Sequence, residues 1–205
     1  MAVLNAAAEA EFWAGVEAGS RFFMGTSNVR LAMEKLAQLL ESAGIDYAVI
    51  GAMALNEFGY RRMTSDVDIL LTDDGLAAFK ALHLGRGYLE KFPGSRGLRD
   101  TEHNIEIDVV LSGGYPGDGK PKPVAFPHPS IAEKGRGVRL LPLPRLLELK
   151  LASGMTAIHR LKDLADVLEL IRAATLPRDL GAQLNDFVRE KYFELWDAAA
   201  NAQDD

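Results

Sequence analysis

The sequence contains no cysteine, which excludes disulfides and thiolate metal sites and is compatible with a reducing compartment. Aromatic residues make up only 8% of the 205 positions, yet 48% are hydrophobic, enough for one substantial core. No apolar run approaches the roughly 20 residues of a membrane-spanning helix. The start, MAVLNAAAEAEFWAGVEAG, carries glutamates and no arginine before Arg21, which is wrong for a secretory leader. These absences point to the cytoplasm and away from membranes. An excess of positive charge is also missing. A formal charge of −6 and a pI near 5.3 argue against broad adhesion to nucleic acid, although a local basic groove survives such an average.

What is present reads as mixed α and β. Residues 28–42 (NVRLAMEKLAQLLES) repeat apolar positions three and four apart, and Gly44 stops the pattern as a helix C-terminus should. The strand YAVIG follows, then a short alanine-rich helix over 52–58 that springs from Gly51. VDILL predicts a strand, 76–84 a helix, and 88–92 and 105–111 two more strands. SGGYPGDGKPKPVAFPHP is dense in glycine and proline and predicts a long loop, either a flap or a connector. VRLLPL adds a strand, and everything from Pro144 onward looks helical. The expected fold class is α+β, a small mixed sheet flanked by helices with a helical C-terminal region. Its expected parts are an N-terminal helical extension over 1–26, a core over 27–128, a strand and helices over 129–200 that complete the active site, and a tail over 201–205.

The segment RRMTSDVDILLT puts Asp66 and Asp68 on one face of a strand, because side chains alternate. Two ionised carboxylates in a half-buried position repel one another and lose hydration, so one takes a proton or a cation sits between them. Mg²⁺ or Mn²⁺ suits oxygen ligands of this kind, together with phosphate oxygens. The bland alternative is an edge strand whose acidic face lies in water. Upstream, Gly51 opens a helix whose first N–H groups suit a phosphate.

These residues together resemble the nucleotidyltransferase superfamily related to DNA polymerase beta, whose signature is a Gly-Ser or Gly-Gly pair followed by Asp-x-Asp. Here the strings are Gly51-Ala52 and Asp66-Val67-Asp68, within the pattern G-x-x-A-x(7)-R-x-T-x-D-x-D formed by Gly51, Ala54, Arg62, Thr64, Asp66 and Asp68. That pattern looks most like the AbiEii-type toxins and their small prokaryotic relatives. Ala52 departs from it, lacking a hydroxyl that many members place on a phosphate. The resemblance implies Asp66, Asp68 and a third acid as metal ligands, with Asp108 the closer match and Glu106 on the same face as the alternative. Gly51, Ala52, Arg62, Thr64, Ser65, Lys150 and Asp166 are implied to bind nucleotide. A lysine followed by R-x-K-D-x-x-D is matched by Lys150 and by Arg160, Lys162, Asp163 and Asp166, with Arg160, Lys162 and Asp163 on the substrate side.

Independently, Lys150 interrupts a leucine face, being three and four residues past Leu147 and Leu146, so it snorkels to water or meets an anion. On the following helix Leu161, Leu164, Ala165 and Leu168 are expected to form the packing stripe. Lys162 and Asp166 share another face, as a surface ion pair or with Asp166 orienting Lys150 or touching base or ribose.

The implied activity is transfer of a nucleoside monophosphate from an NTP to a hydroxyl, releasing pyrophosphate. The implied acceptor is an RNA 3′ end such as that of tRNA, or a protein side chain, with a toxin or defence role and a cognate antitoxin as partner. The rivals are a degenerate nucleotide binder, an interaction module using Phe187, Tyr192, Phe193 and Trp196, and a nucleotidyltransferase acting on antibiotics. His83, His103, His128 and His159 have no metal-ligand spacing and read as surface or loop residues.

Overall fold

The computed structural model describes residues 14–19, 21 and 27–201. Most of the expected N-terminal extension, and residues 202–205 of the expected tail, lie outside the described residues; 14–19 are helical. Helix α1 (Asn28–Ser42) begins where the Ser27 hydroxyl accepts from the Arg30 N–H, and Gly44 ends it in the left-handed conformation. There follow β1 (Ala48–Val49), α2 (Gly51–Glu57), β2 (Asp66–Leu71), α3 (Asp73–His83), β3 (Tyr88–Glu90), β4 (Leu98–Asp100) and β5 (Ile105–Leu111). Two short strands, β6 (Glu133–Lys134) and β7 (Arg139–Leu140), precede helices α4 (Leu143–Thr156), α5 (Leu161–Ala174) and α6 (Asp186–Asn201). The class is α+β, as expected.

The seven strands form one mixed sheet in the order β3-β4-β5-β2-β1-β7-β6. The β2–β5 and β1–β7 pairs are parallel and the rest antiparallel. Val67, Ile69, Leu71, Ile107 and Val109 bury one face of β2 and β5, on which α1 packs. That apolar face frees the opposite face to carry charge.

Three details differ from the sequence reading. Strands β4 and β6 are too short for alternation to mark them. The expected continuous last helix is instead a 3₁₀ turn (Arg178–Gln183) followed by α6. On α5 the expected stripe is half realised: Leu164 and Leu168 pack against the core, Leu161 and Ala165 are exposed, and the fully buried positions are Asp163, Asp166, Val167, Leu170 and Ile171. Lys150 of α4, with Arg160 and Arg62, pairs with the two acids, which makes their inward placement tolerable. The aromatic set on α6 is core. Tyr192 is fully buried with its hydroxyl on Pro177 O, the Trp196 indole donates to Leu176 O, and Phe187 and Phe193 pack on the same cluster. Among the described residues no helix is long and apolar enough to cross a membrane.

Helices α4 and α5 cross closely at Gly154, where an added Cβ would lie 2.5 Å from Leu164 Cγ and 3.2 Å from the Leu164 backbone nitrogen. Gly154→Val is expected to lower the unfolding free energy by about 1–3 kcal/mol through overpacking, measured by denaturant titration.

Candidate active site

Parallel pairing of β2 with β5 sets Asp68 beside Asp108 and Asp66 beside Glu106. Asp66, Asp68 and Asp108 each offer an oxygen, and these atoms all lie within 4.8 Å of one another. Such a set suits a hard divalent ion, whose bonds to oxygen are about 2.0–2.6 Å. Asp68 also lies against the entry of α2. Gly51 has φ +62°, and a Cβ there would fall 1.9 Å from Asp68 Oδ2 and 2.5 Å from its Cγ. Both the torsion and the proximity therefore require glycine. Residue Ile50, at the helix N-cap, supplies no side-chain acceptor, which leaves the first-turn amides uncapped by a side chain. Thr64 donates its hydroxyl hydrogen to Asp66. Burial foremost, then repulsion from Asp66 and Asp108, push the Asp68 carboxyl up from its ordinary 3.8 to about 6, against the pull of Lys150 and Arg160.

The opposite wall is built by α4 and α5. Lys150 is buried, 8% exposed, and donates to Asp163 at 3.1 Å and Asp166 at 2.8 Å. Asp163 also accepts from Ser153 at 2.7 Å and Arg160 at 2.8 Å, while Arg62 stands 3.5 Å from Asp166. Burial alone raises the Asp163 carboxyl, but Lys150, Ser153 and Arg160 together outweigh it and hold it below its ordinary value. Asp166 thus pairs with Lys150 and Arg62 across elements, and the surface alternative of an Asp166–Lys162 pair is not what forms.

Gly51, Ala52, Arg62, Thr64, Asp66, Asp68, Asp108, Lys150, Arg160, Lys162, Asp163 and Asp166 all line one cleft of about 430 Å³. Ser65 does not; it is exposed, between two residues that do line the cleft. Glu106 stands apart from the three converging acids, paired with Lys91 at 2.7 Å and Arg99 at 3.3 Å. The loop over 112–128 contributes Tyr115, Pro116, Gly117 and Phe126 to the cleft. It is a fitted connector: a Cβ on Gly117 would lie 2.2 Å from Thr156 Oγ1 of α4.

His159 is exposed, as the sequence reading has it, and it also lines the cleft. One contributor escaped the sequence reading. Lys91 reaches over from the β3–β4 hairpin and places Nζ 2.6 Å from Asp108 Oδ1. Its signal was the KFPGSRG string between two short apolar segments, which is hairpin chemistry. A second cluster, Asp100, Glu102 and His103, lies at the end of β4 and just after it. Lys35 already pairs with both of its acids, with Nζ 2.6 Å from Asp100 and 2.8 Å from Glu102.

No protein-family model and no curated protein matches the chain. Among solved structures the chain is similar to ANT(2'')-Ia in complex with adenylyl-2''-tobramycin, at 14% identity and TM-score 0.49, covering 85% of this chain and 98% of that one. It is also similar to the solution structure of the antibiotic-resistance factor ANT(2'')-Ia, at 14% identity and TM-score 0.46, covering 88% and 96%. JHP933 from Helicobacter pylori aligns at 17% identity and TM-score 0.44, covering 83% and 90%.

Because the folded chain holds the Asp68 proton more tightly than the unfolded chain, this group adds stability below pH 3.8 that is lost as pH rises through about 6. In EDTA, raising the pH from about 4.5 to about 7.5 is therefore expected to lower the wild-type Tm relative to Asp68→Asn by several degrees. Adding Mg²⁺ at the upper pH should raise the wild-type Tm and leave the variant unmoved. Thermal melts of both proteins across the pH range check the sign.

Proposed function

We propose that the protein is a metal-dependent nucleotidyltransferase that moves a nucleoside monophosphate from an NTP to a hydroxyl acceptor. The observation that carries this reading is the convergence of Asp66, Asp68 and Asp108 beside the Gly51 turn, facing a wall with Lys150, Arg160, Arg62 and Lys162. Asp66 and Asp68, with Asp108 at their side, would hold Mg²⁺ or Mn²⁺. The bound ion would neutralise charge on the phosphates and orient the α-phosphorus for attack. The first-turn amides from Gly51 and Ala52 would receive the β- and γ-phosphates, so the missing hydroxyl at Ala52 removes one donor and leaves the backbone ones. An ammonium has three N–H bonds, and Lys150 gives two to Asp163 and Asp166, leaving a third donor for a phosphate oxygen. Arg62 and Thr64 would border the same groups, and Asp166 would hold Lys150 in place. Asp108 would receive the proton of the attacking hydroxyl, and pyrophosphate would leave. Catalysis of this kind is positioning and charge neutralisation.

The resemblance to AbiEii-type toxins favours an RNA 3′ end or a protein hydroxyl as acceptor, with an antitoxin as partner. A second reading, modification of a small cationic molecule such as an antibiotic, is favoured by the cleft of about 430 Å³ and by an acidic chain of net charge −6. Arg160 and Lys162 would line the substrate side of the cleft.

The test is incubation with each α-labelled NTP and Mg²⁺, offering total RNA, protein extract or a panel of aminoglycosides. Wild type is expected to transfer label and release pyrophosphate, and Asp68→Asn to fall at least about a hundredfold. The acceptor that gains label decides between the two readings. NTP binding without pyrophosphate release in any arm would instead mark a degenerate nucleotide binder.

A further inference from the structure

The acidic face of the sheet carries four carboxylates in two register pairs, Asp66 beside Glu106 and Asp68 beside Asp108. Cations are shared unequally among them. Lys91 Nζ lies 2.6 Å from Asp108 Oδ1 and 2.7 Å from Glu106 Oε2, and Arg99 adds a contact to Glu106 at 3.3 Å. Among the described residues Asp66 and Asp68 have no ion-pair partner of this kind; Asp66 accepts from Thr64, and Lys150 and Arg160 act on Asp68 only from a distance. The two acids of β5, Glu106 and Asp108, are thus paired from within the chain, and the two of β2, Asp66 and Asp68, are left for something else.

Lys91 is seated, which separates it from an ordinary surface lysine. Its backbone N–H donates to Gly97 O at 3.1 Å across the hairpin. A Cβ on Gly97 would lie 2.9 Å from Lys91 Cδ and 3.2 Å from Cε. Gly97 has no left-handed torsion that would call for glycine. Its bare α-carbon is instead the floor on which the lysine stem lies, and that floor aims the ammonium at Asp108.

We infer that Lys91 is a positioning residue that acts as a tethered cation on the Asp108 side of the site, so that the protein takes up one divalent ion, on the Asp66–Asp68 side, where four unpaired carboxylates would hold two. The inference rests on the metal-dependent transfer reading and adds to it who supplies the second positive charge. A fixed ammonium keeps Asp108 beside Asp68 through a charge-assisted hydrogen bond whether or not an ion is bound. It also lowers the local negative potential that would draw a second ion.

The experiment is a Mn²⁺ titration of the full chain, with free ion followed by electron paramagnetic resonance. Wild type and Lys91→Arg are expected to bind one tight Mn²⁺ per chain. Lys91→Met keeps the stem and loses the charge, and Gly97→Val displaces the stem. Both are expected to bind a second Mn²⁺ with affinity at least about tenfold above any weak second binding in wild type. Because these two variants remove the ammonium by different routes, misfolding of one leaves the other as the test. Equal stoichiometry and affinity in wild type and variants, or two tight ions in wild type, would overturn the role of Lys91 while leaving the transfer reading intact. No Mn²⁺ bound by any of the proteins would instead overturn the transfer reading itself.

Discussion

Mutual repulsion among Asp66, Asp68 and Asp108 is the constraint around which the site is arranged. Their nearest oxygens lie within 4.8 Å of one another. At an effective dielectric constant of about 20, each ionised pair at that separation costs about 3–4 kcal/mol. Three such pairs rival the whole net stability of a domain, roughly 5–15 kcal/mol. The fold therefore needs relief at each acid, and each receives a different kind. Asp68, raised foremost by burial, holds its proton up to about pH 6. Asp66 accepts from Thr64, and Asp108 takes the ammonium of Lys91. A divalent ion would replace the first of these by charge in place of a proton, so protonation and metal uptake at Asp68 would oppose one another.

The scaffold makes this crowding unavoidable. Parallel, in-register pairing of β2 and β5 puts residue 68 opposite 108 and aligns their side chains on one face. The other face is spoken for, because Val67, Ile69 and Ile107 close the core beneath α1. A slip of one residue would bury the acids and expose the aliphatics, so burial on one side enforces the charge cluster on the other. Gly51 completes the enclosure, since its missing Cβ is the space the Asp68 carboxylate occupies.

Much of this was legible from residue spacing. The strand face of Asp66 and Asp68, the shared face of Glu106 and Asp108, the glycine entry to α2 and the inward lysine on α4 all follow from periods of two and of three to four residues. The parts that were not legible depend on partners distant in sequence. The buried face of α5 looks polar in isolation, because Asp163 and Asp166 are tolerable inside only once Lys150, Ser153 and Arg160 meet them. Lys91 belongs to the same class: a hairpin with three-residue strands shows little alternation, and its contact with Asp108 spans seventeen positions. Helical spacing marks the leucines of α5 as core, and Leu164 and Leu168 do pack there, but the fully buried positions include the paired acids Asp163 and Asp166.

The Lys150–Asp163–Asp166 network has a separate significance. Burying an ion pair forfeits hydration on both partners, and an apolar replacement of similar volume is often as stable or more so. Its place between α4 and α5 is therefore poorly accounted for by stability. The geometry offers a better account. Two carboxylates and a serine-bound arginine fix the ammonium at the cleft wall in one orientation, and the arrangement leaves that ammonium one donor short of full use. Across the cleft stands a carboxylate cluster that carries more negative charge than its own cations cancel. A polyphosphate with a divalent ion would bring a partner to both walls at once, anion to the lysine side and cation to the acids. The two walls thus differ in sign, and each offers what one component of a metal–polyphosphate ligand would need.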